Sequence, residues 1–235
     1  MPPNIAKRIL NRILRPFRKD WDAFLKDSSG VIHIGANEGQ EREQYAVLGL
    51  PVIWVEPIPE VFEILSRNIS TFPKQKAFQY LLADKDEAQL DFHIASNGGA
   101  SSSILDLARH TEIFPDIVYT KTMQLFSITL ASFLDRECVD SSVYNALVMD
   151  TQGSELLILR GGRTVLQRFR YVKVEAADFE AYKGCCNANE IVQFMASCGF
   201  QEKCRHRFDE NPLGGAYYNI VFHNRHPVIA DSTAR

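Results

Sequence analysis

Three carboxylates stand directly after short apolar runs. Glu56 closes Val52-Ile-Trp-Val, Asp150 closes Ala146-Leu-Val-Met, and Glu175 closes Tyr171-Val-Lys-Val. Runs of this length read as buried strands, and ligands of open α/β sheets bind beyond the carboxyl ends of the strands. Glu56 lies 21 residues after Gly35, the spacing at which an acid accepts hydrogen bonds from ribose hydroxyls. Asp150 and Glu175 would sit side by side on neighbouring strand ends. Two carboxylates held together push their pKa values apart, which lets one act as a base near neutral pH. A positioned base is worth about 10²–10⁴-fold in rate. Asp150 has three further readings: contact with the amino group of a bound cofactor, orientation of a substrate hydroxyl, and capping of the turn and helix that follow. Glu155, in the first turn of the next helix pattern, is a third catalytic candidate, although an acid at a helix N-terminus is electrostatically favourable with no function at all.

The first apolar run leads into Val31-Ile-His-Ile-Gly-Ala-Asn-Glu-Gly-Gln40, a strand, a tight turn and a helix start. Gly35 and Gly39 would let the backbone approach a ligand with no Cβ in the way. The dinucleotide fingerprint G-x-G-x-x-G cradles a pyrophosphate. Here Asn37 replaces the middle glycine and Glu38 follows it, and a carboxylate would repel a pyrophosphate. S-adenosylmethionine (SAM) carries no phosphate and has a cationic sulfonium, so the turn favours SAM over NAD. His33, Gly35, Asn37, Gly39, Glu56, Pro57 and Asp150 are the expected cofactor contacts. Phe78–Ala83 reads as the third strand; Ala83 and Asp84 at its end would face the adenine, although Asp84 also suits a plain turn through Asp84-Lys-Asp-Glu87. Ser101 and Ser102, in the Gly/Ser-rich turn Asn97–Ser103, and Gln152 are the expected acceptor contacts; a loop that merely turns accounts for the serines equally well. His93, His110 and His206 fall in no assignable pattern. No CxxC or HExxH occurs, so no metal site is expected.

These residues need elements to position them. Val31–Ile34, Val52–Val55, Phe78–Ala83, Ala146–Met149 and Val172–Val174 are nearly continuous apolar runs, as parallel strands covered on both faces require. Helical patterns fall between them at Glu41–Leu48, Pro59–Ile69, Ser154–Leu166 and Ala188–Cys198, with Pro59 suited to a first helical turn and Gly199 to a C-terminal cap. This alternation predicts a doubly wound, mostly parallel α/β sheet. Residues 90–130 break it and read as an insertion with extra strands on the substrate side. Gln201–Phe208 and Tyr217–Phe222, joined through a loop with Asn, Pro and two Gly, predict a closing antiparallel hairpin. Such a hairpin suits a Rossmann-like class I methyltransferase better than an all-parallel dinucleotide fold.

Taken together, His33-Ile-Gly-Ala-Asn-Glu-Gly-Gln40, Val55-Glu-Pro-Ile-Pro59, Ser101-Ser-Ser-Ile-Leu105, Met149-Asp-Thr-Gln-Gly-Ser-Glu155 with Leu159-Arg-Gly-Gly162, and Val174-Glu175 followed by Tyr182 resemble the FkbM-type SAM-dependent methyltransferases over roughly residues 31–222. The resemblance implies methyl transfer from SAM, usually to a hydroxyl of a sugar, glycolipid, polysaccharide or secondary metabolite, with Gly35, Asn37 and Gly39 in the cofactor loop and Glu56 on the ribose. The sequence departs from the family in carrying His33 where many members have an Asp that helps hold the SAM amino group. A non-catalytic SAM-binding protein and an NAD-dependent oxidoreductase are the rival readings.

The 235 residues, 46% hydrophobic and 23% charged, fit one globular domain. A formal net charge of −3 gives no reason to expect nucleic acid as a partner. Five cysteines, an odd count with Cys185 and Cys186 adjacent, argue for reduced thiols in a cytoplasmic setting rather than a disulfide framework. Residues 1–28 form a basic N-terminal extension, 29–226 the methyltransferase domain and 227–235 a tail. Within the extension, residues 1–19 carry six Lys and Arg and no acid and predict an amphipathic helix. It would either pack on the domain or lie on an anionic membrane surface.

Overall fold

The computed structural model describes residues 22–140, 142–225 and 227. The basic segment 1–19 and nearly all of the tail 227–235 lie outside the described residues. The strands are β1 (Val31–Ile34), β2 (Val52–Val55), β3 (Gln75–Phe78), β4 (Leu81–Ala83), β5 (Gln89–Ala95), β6 (Tyr119–Thr129), β7 (Ala146–Met149), β8 (Tyr171–Ala177), β9 (Phe200–Glu210) and β10 (Ala216–Asn224). The helices are α1 (Arg42–Val47), α2 (Pro59–Ile69), α3 (His110–Ile113), α4 (Leu130–Arg136), α5 (Glu155–Gly161) and α6 (Ala188–Ser197).

Seven strands form the main sheet in the order β3-β2-β1-β7-β8-β10-β9. Its first five strands are parallel, and β10 runs antiparallel to both β8 and β9. This is the Rossmann-like sheet with a C-terminal hairpin that the apolar runs predict. Every residue of β1, β2 and β7 is buried, because alternate side chains enter cores on opposite faces. Ile32, Ile53, Leu147 and Val172 pack on one side with α4, α5 and α6. Val31, Val52, Trp54 and Val148 pack on the other with Phe24, Tyr45 and Leu65. α6 is held at its start by a capping box between Asn187 and Glu190, which satisfies two of the backbone donors a helix N-terminus leaves open.

Two elements differ from the sequence expectation. The expected strand Phe78–Ala83 is two strands. β3 pairs with β2, whereas β4 leaves the main sheet and pairs with β6. β3 begins on Gln75-Lys76, which an apolar scan passes over. Gln75 is buried because its amide accepts from Trp54 Nε1 at 3.0 Å and donates to the Arg42 carbonyl at 2.8 Å. The expected helix Ser154–Leu166 stops at Gly161, followed by a short 3-10 turn at Leu166–Arg168.

Residues 90–130 supply β5 and β6, which with β4 form a second, three-stranded sheet. The loop after β5 reaches the mouth of the main sheet. The C-terminal hairpin closes through Asn211, whose amide N–H donates to the Gly215 carbonyl at 2.8 Å and whose side-chain oxygen accepts from Leu213 N at 2.7 Å. Among the described residues no helix is long and apolar enough to cross a membrane.

Gly161 explains how closely α5 approaches β4. A Cβ there would lie 2.3 Å from the Ala83 carbonyl oxygen, a backbone atom that cannot swing aside. Gly161→Ala therefore sets a gain in helix propensity of about 1 kcal/mol against an overpacking cost of about 1–3 kcal/mol. The expected outcome is a net loss of stability and a Tm lowered by several degrees, measured by thermal and denaturant unfolding; an unchanged or raised Tm would show that α5 can shift.

Candidate active site

The C-terminal ends of β1, β2, β7 and β8 open on one cavity of about 340 Å³. Its floor is set by the turn after β1. The amides of Gly35 and Ala36 both donate to the Val55 carbonyl, at 3.0 and 3.1 Å, and Asp150 N donates to the Ile34 carbonyl at 3.1 Å. The ends of three strands are thereby laced together. Gly35 has φ +76°, and a Cβ on it would fall 1.9 Å from the Asp150 carbonyl oxygen, so no other residue fits this crossing. Asn37 also takes a left-handed conformation, φ +46°. Its side-chain oxygen accepts from Glu38 N and Gln40 Nε2, both at 2.9 Å, the local bonding that makes Asn tolerant of this region.

Glu56, the expected ribose contact, lines the cavity beside this turn. It is 4% exposed, and its two carboxylate oxygens accept separately from Asn37 N and Ile58 N, each at 2.9 Å. Burial pushes its pKa up to about 7, against the two amide hydrogen bonds that favour the charged form. Pro57 and Ile58 continue the wall beside it. Gly39, expected at the cofactor, does not reach the cavity: its missing Cβ makes room for Leu65, whose Cδ1 would lie 2.7 Å from one. Ala83 and Asp84 also lie off the cavity, and Leu81 and Leu82 line it instead. The splitting of the third strand is the reason, since β4 carries Ala83 against Gly161 and leaves Asp84 in solvent. His33 borders the cavity, but its ring stacks on Trp54 at 4.9 Å and its Nδ1 shares a hydrogen bond of 3.1 Å with Tyr45 Oη.

At the other end, Met149 pairs with Val174 in the parallel register of β7 and β8, so Asp150 and Glu175 follow on adjacent strand ends, half-buried and facing the same cavity. Gln152 holds Asp150 with a hydrogen bond from Nε2 to Oδ1. Gln152 is itself fixed, because Tyr182 Oη donates to its side-chain oxygen at 2.6 Å and Ser103 Oγ to its carbonyl at 2.8 Å. Its φ of +55° is unfavourable for a non-glycine residue, and this network overrides the preference. Glu155, the third catalytic candidate, sits behind the turn rather than in the cavity. It is 2% exposed and accepts from Thr151 N, Thr151 Oγ1 and Gly153 N at 2.9, 3.1 and 3.1 Å. It organises the backbone between Asp150 and α5, and burial raises its pKa to about 7.

Ser101 and Ser102 line the cavity, with their hydroxyls engaged in shaping the loop. Ser101 Oγ lies 3.0 Å from Asn97 Nδ2 and 3.2 Å from His110 Nε2, and Ser102 Oγ accepts from Ala95 N at 3.0 Å. His110 is the residue the sequence did not single out. Its ring lies between Phe114 and Tyr182, and its Nδ1 is 2.6 Å from Tyr217 Oη. These partners lie as many as 107 positions away in the chain, and no periodicity relates them. Desolvation lowers the His110 pKa to about 4, which leaves the ring neutral under ordinary conditions.

Five carboxylates line this cavity (Glu41, Glu56, Asp150, Glu175 and Asp209), and no Lys or Arg does among the described residues. A cationic ligand with an adenosine moiety fits this donor set; a pyrophosphate does not. The sheet order, the turn after β1 and the acid after β2 define a SAM-dependent methyltransferase of the Rossmann-like class. The chain belongs to the FkbM methyltransferase family: residues 33–202 match the methyltransferase FkbM domain. It is 21% identical over 175 residues to the 2-O-methyltransferase NoeI of Sinorhizobium fredii (strain NBRC 101917 / NGR234), a match covering 71% of each chain. Its fold is similar to the crystal structure of the methyltransferase domain of bacterial CtHen1-C, with a TM-score of 0.50, 15% identity, and coverage of 91% of this chain and 98% of that one. Membership of this family displaces the oxidoreductase reading.

The buried acids set the pH behaviour. For Glu56 and Glu155 the folded-state pKa lies above the ordinary 4.5, so the fold favours the protonated form. Their contribution to stability is full below about pH 4.5 and is lost as pH rises through about 7. The expected ribose contact at Glu56 requires the ionised carboxylate, so on that reading binding of S-adenosylhomocysteine should release protons near pH 6 and tighten as pH rises to 8. Calorimetry in buffers of different ionisation enthalpy measures both effects. Glu56→Gln should remove most of the proton release and weaken binding roughly tenfold or more; unchanged binding would take Glu56 off the ribose.

Proposed function

We propose that this enzyme transfers the SAM methyl group to a hydroxyl oxygen, without a metal ion, on an acceptor such as a sugar, glycolipid, polysaccharide or secondary metabolite. The observation that carries this reading is the pair Asp150 and Glu175 on adjacent strand ends of the cavity whose far end is formed by Glu56 and the turn after β1. The name of the relative NoeI, a 2-O-methyltransferase, supports an oxygen acceptor.

When bound, SAM supplies an electrophilic methyl carbon on a cationic sulfur. With SAM held by the turn after β1 and Glu56, the acceptor oxygen would take that methyl carbon while the carbon–sulfur bonding pair would stay on sulfur. A hydroxyl is a poor nucleophile until its proton is drawn away, and the Asp150–Glu175 pair receives that proton. Gln152, held by Tyr182 and Ser103, keeps the Asp150 carboxylate turned into the cavity. Holding the acceptor in line with the carbon–sulfur bond contributes at least as much as the base, since effective molarities reach about 10⁵ M.

Incubation with methyl-labelled SAM and fractionated polar extracts identifies the acceptor by the label it takes up. With that fraction, replacing the base by its amide (Asp150→Asn or Glu175→Gln) should lower kcat by roughly 10²-fold or more while affinity for S-adenosylhomocysteine stays within a few-fold. Full activity in both variants would remove the carboxylate base from the mechanism. Tight S-adenosylhomocysteine binding with no labelled product in any fraction would favour the non-catalytic reading.

A further inference from the structure

The acceptor end of the cavity holds a polar side chain that neither the cofactor site nor the base uses. Asn219 on β10 lies directly across from Glu175 on β8 in the antiparallel pair. Cross-strand partners share a face, so Asn219 and Glu175 stand side by side on the cavity wall. Asn219 is 8% exposed, and its carboxamide has no hydrogen-bond partner among the described residues. The amide is not sealed in the core: it opens onto a space that a ligand can enter, where a ligand group can pair with it. Tyr217, two residues earlier on the same face, lines the same wall, with its hydroxyl turned to His110. Phe114 and Phe208 add apolar surface.

Charge narrows the ligand further. Asp150, Glu175 and Asp209 surround this end, and no Lys or Arg lines the cavity among the described residues. His110 is kept neutral by burial and supplies no compensating cation. A phosphate or carboxylate on the acceptor would be desolvated against like charges, with no Lys or Arg among the described lining residues to pair with it. An aromatic wall beside an amide and carboxylates instead matches a compact ring with one apolar face and hydroxyls at its edge.

We infer that the acceptor is an uncharged polyol ring, a neutral sugar or cyclitol, and that Asn219 is a specificity residue: its carboxamide donates to one ring oxygen while Glu175 accepts from the neighbouring hydroxyl. This inference rests on the reading of the chain as a methyltransferase acting on hydroxyls. It excludes sugar phosphates, uronic acids and nucleotides as acceptors.

The test uses the full chain saturated with S-adenosylhomocysteine, which leaves the acceptor end open. The probes are the methyl glycosides of glucose, galactose, mannose and rhamnose together with myo-inositol, and glucose 6-phosphate and glucuronate as charged counterparts. Saturation-transfer NMR reads binding. At least one neutral probe should bind, with the charged counterparts roughly tenfold weaker or worse. Asn219→Ala should weaken the neutral probe roughly tenfold with S-adenosylhomocysteine affinity within twofold. Asn219→Asp, of nearly the same volume, should do the same and covers the case in which the alanine variant does not fold. The inference is overturned if a charged counterpart binds as well as the neutral probes, if no neutral probe binds, or if both variants bind the neutral probe as the parent does. A loss of S-adenosylhomocysteine affinity in a folded variant would also overturn it, by placing Asn219 on the cofactor. Failure of the parent chain to bind S-adenosylhomocysteine would sink the methyltransferase reading itself, a result distinct from all of these.

Discussion

The hydrogen bonds that Glu56 accepts from Asn37 N and Ile58 N are the constraint on which the site depends. Each amide belongs to a different loop, one after β1 and one after β2, and the carboxylate fixes the gap between them. Removing a carboxylate from water is expensive, and two amide donors offset only part of that cost, as the raised pKa records. Burial therefore leaves the Glu56 carboxylate only partly compensated by its two amide donors. Everything further along the wall inherits this geometry: Gly35 sits between the tie to β2 and the crossing with Asp150, so the position of Asp150 is set by the same turn that Glu56 holds.

The second organising feature is electrostatic. A cavity with five carboxylates and no Lys or Arg among its described lining residues carries a field that attracts a sulfonium and repels phosphates. The acids in and behind this wall are held by local bonding. Glu155 is bound by the turn it supports, Asp150 by Gln152, and Glu56 by two loops. Gln152 shows how this is arranged, since a left-handed backbone at a non-glycine position persists only because three contacts hold it.

Much of the scaffold was legible in the sequence because parallel strands buried on both faces leave uninterrupted apolar runs. Val31–Ile34, Val52–Val55 and Ala146–Met149 were read residue for residue, as was the helix Pro59–Ile69. β3 escaped because it opens on Gln75-Lys76, and Gln75 is buried by hydrogen bonding rather than by apolarity. The end of α5 escaped because it depends on room for backbone between Gly161 and Ala83, a fact of packing that helical periodicity does not carry. The site divides in the same way. Residues at strand ends (Gly35, Glu56, Asp150, Glu175) follow from topology and line the cavity. Gly39, Ala83, Asp84 and Glu155 were expected at the site from the glycine turn, the end of the third strand and the start of the helix after β7, and tertiary packing places them off this cavity. His110, Tyr217 and Asn219 meet only through contacts between distant segments, which no local pattern encodes.

β10 is the last strand of the described chain, yet it lies inside the sheet, between β8 and β9, and it brings Tyr217 and Asn219 to the cavity. The segment that matches the family, residues 33–202, stops before it. On the ribosome the turn after β1 and the acid after β2 emerge first, and β8 must wait with an unpaired edge until residues beyond 215 are made. An exposed strand edge of this kind is prone to pair with other chains. The strand that completes this wall of the cavity is thus also the one whose late synthesis leaves the edge of β8 open.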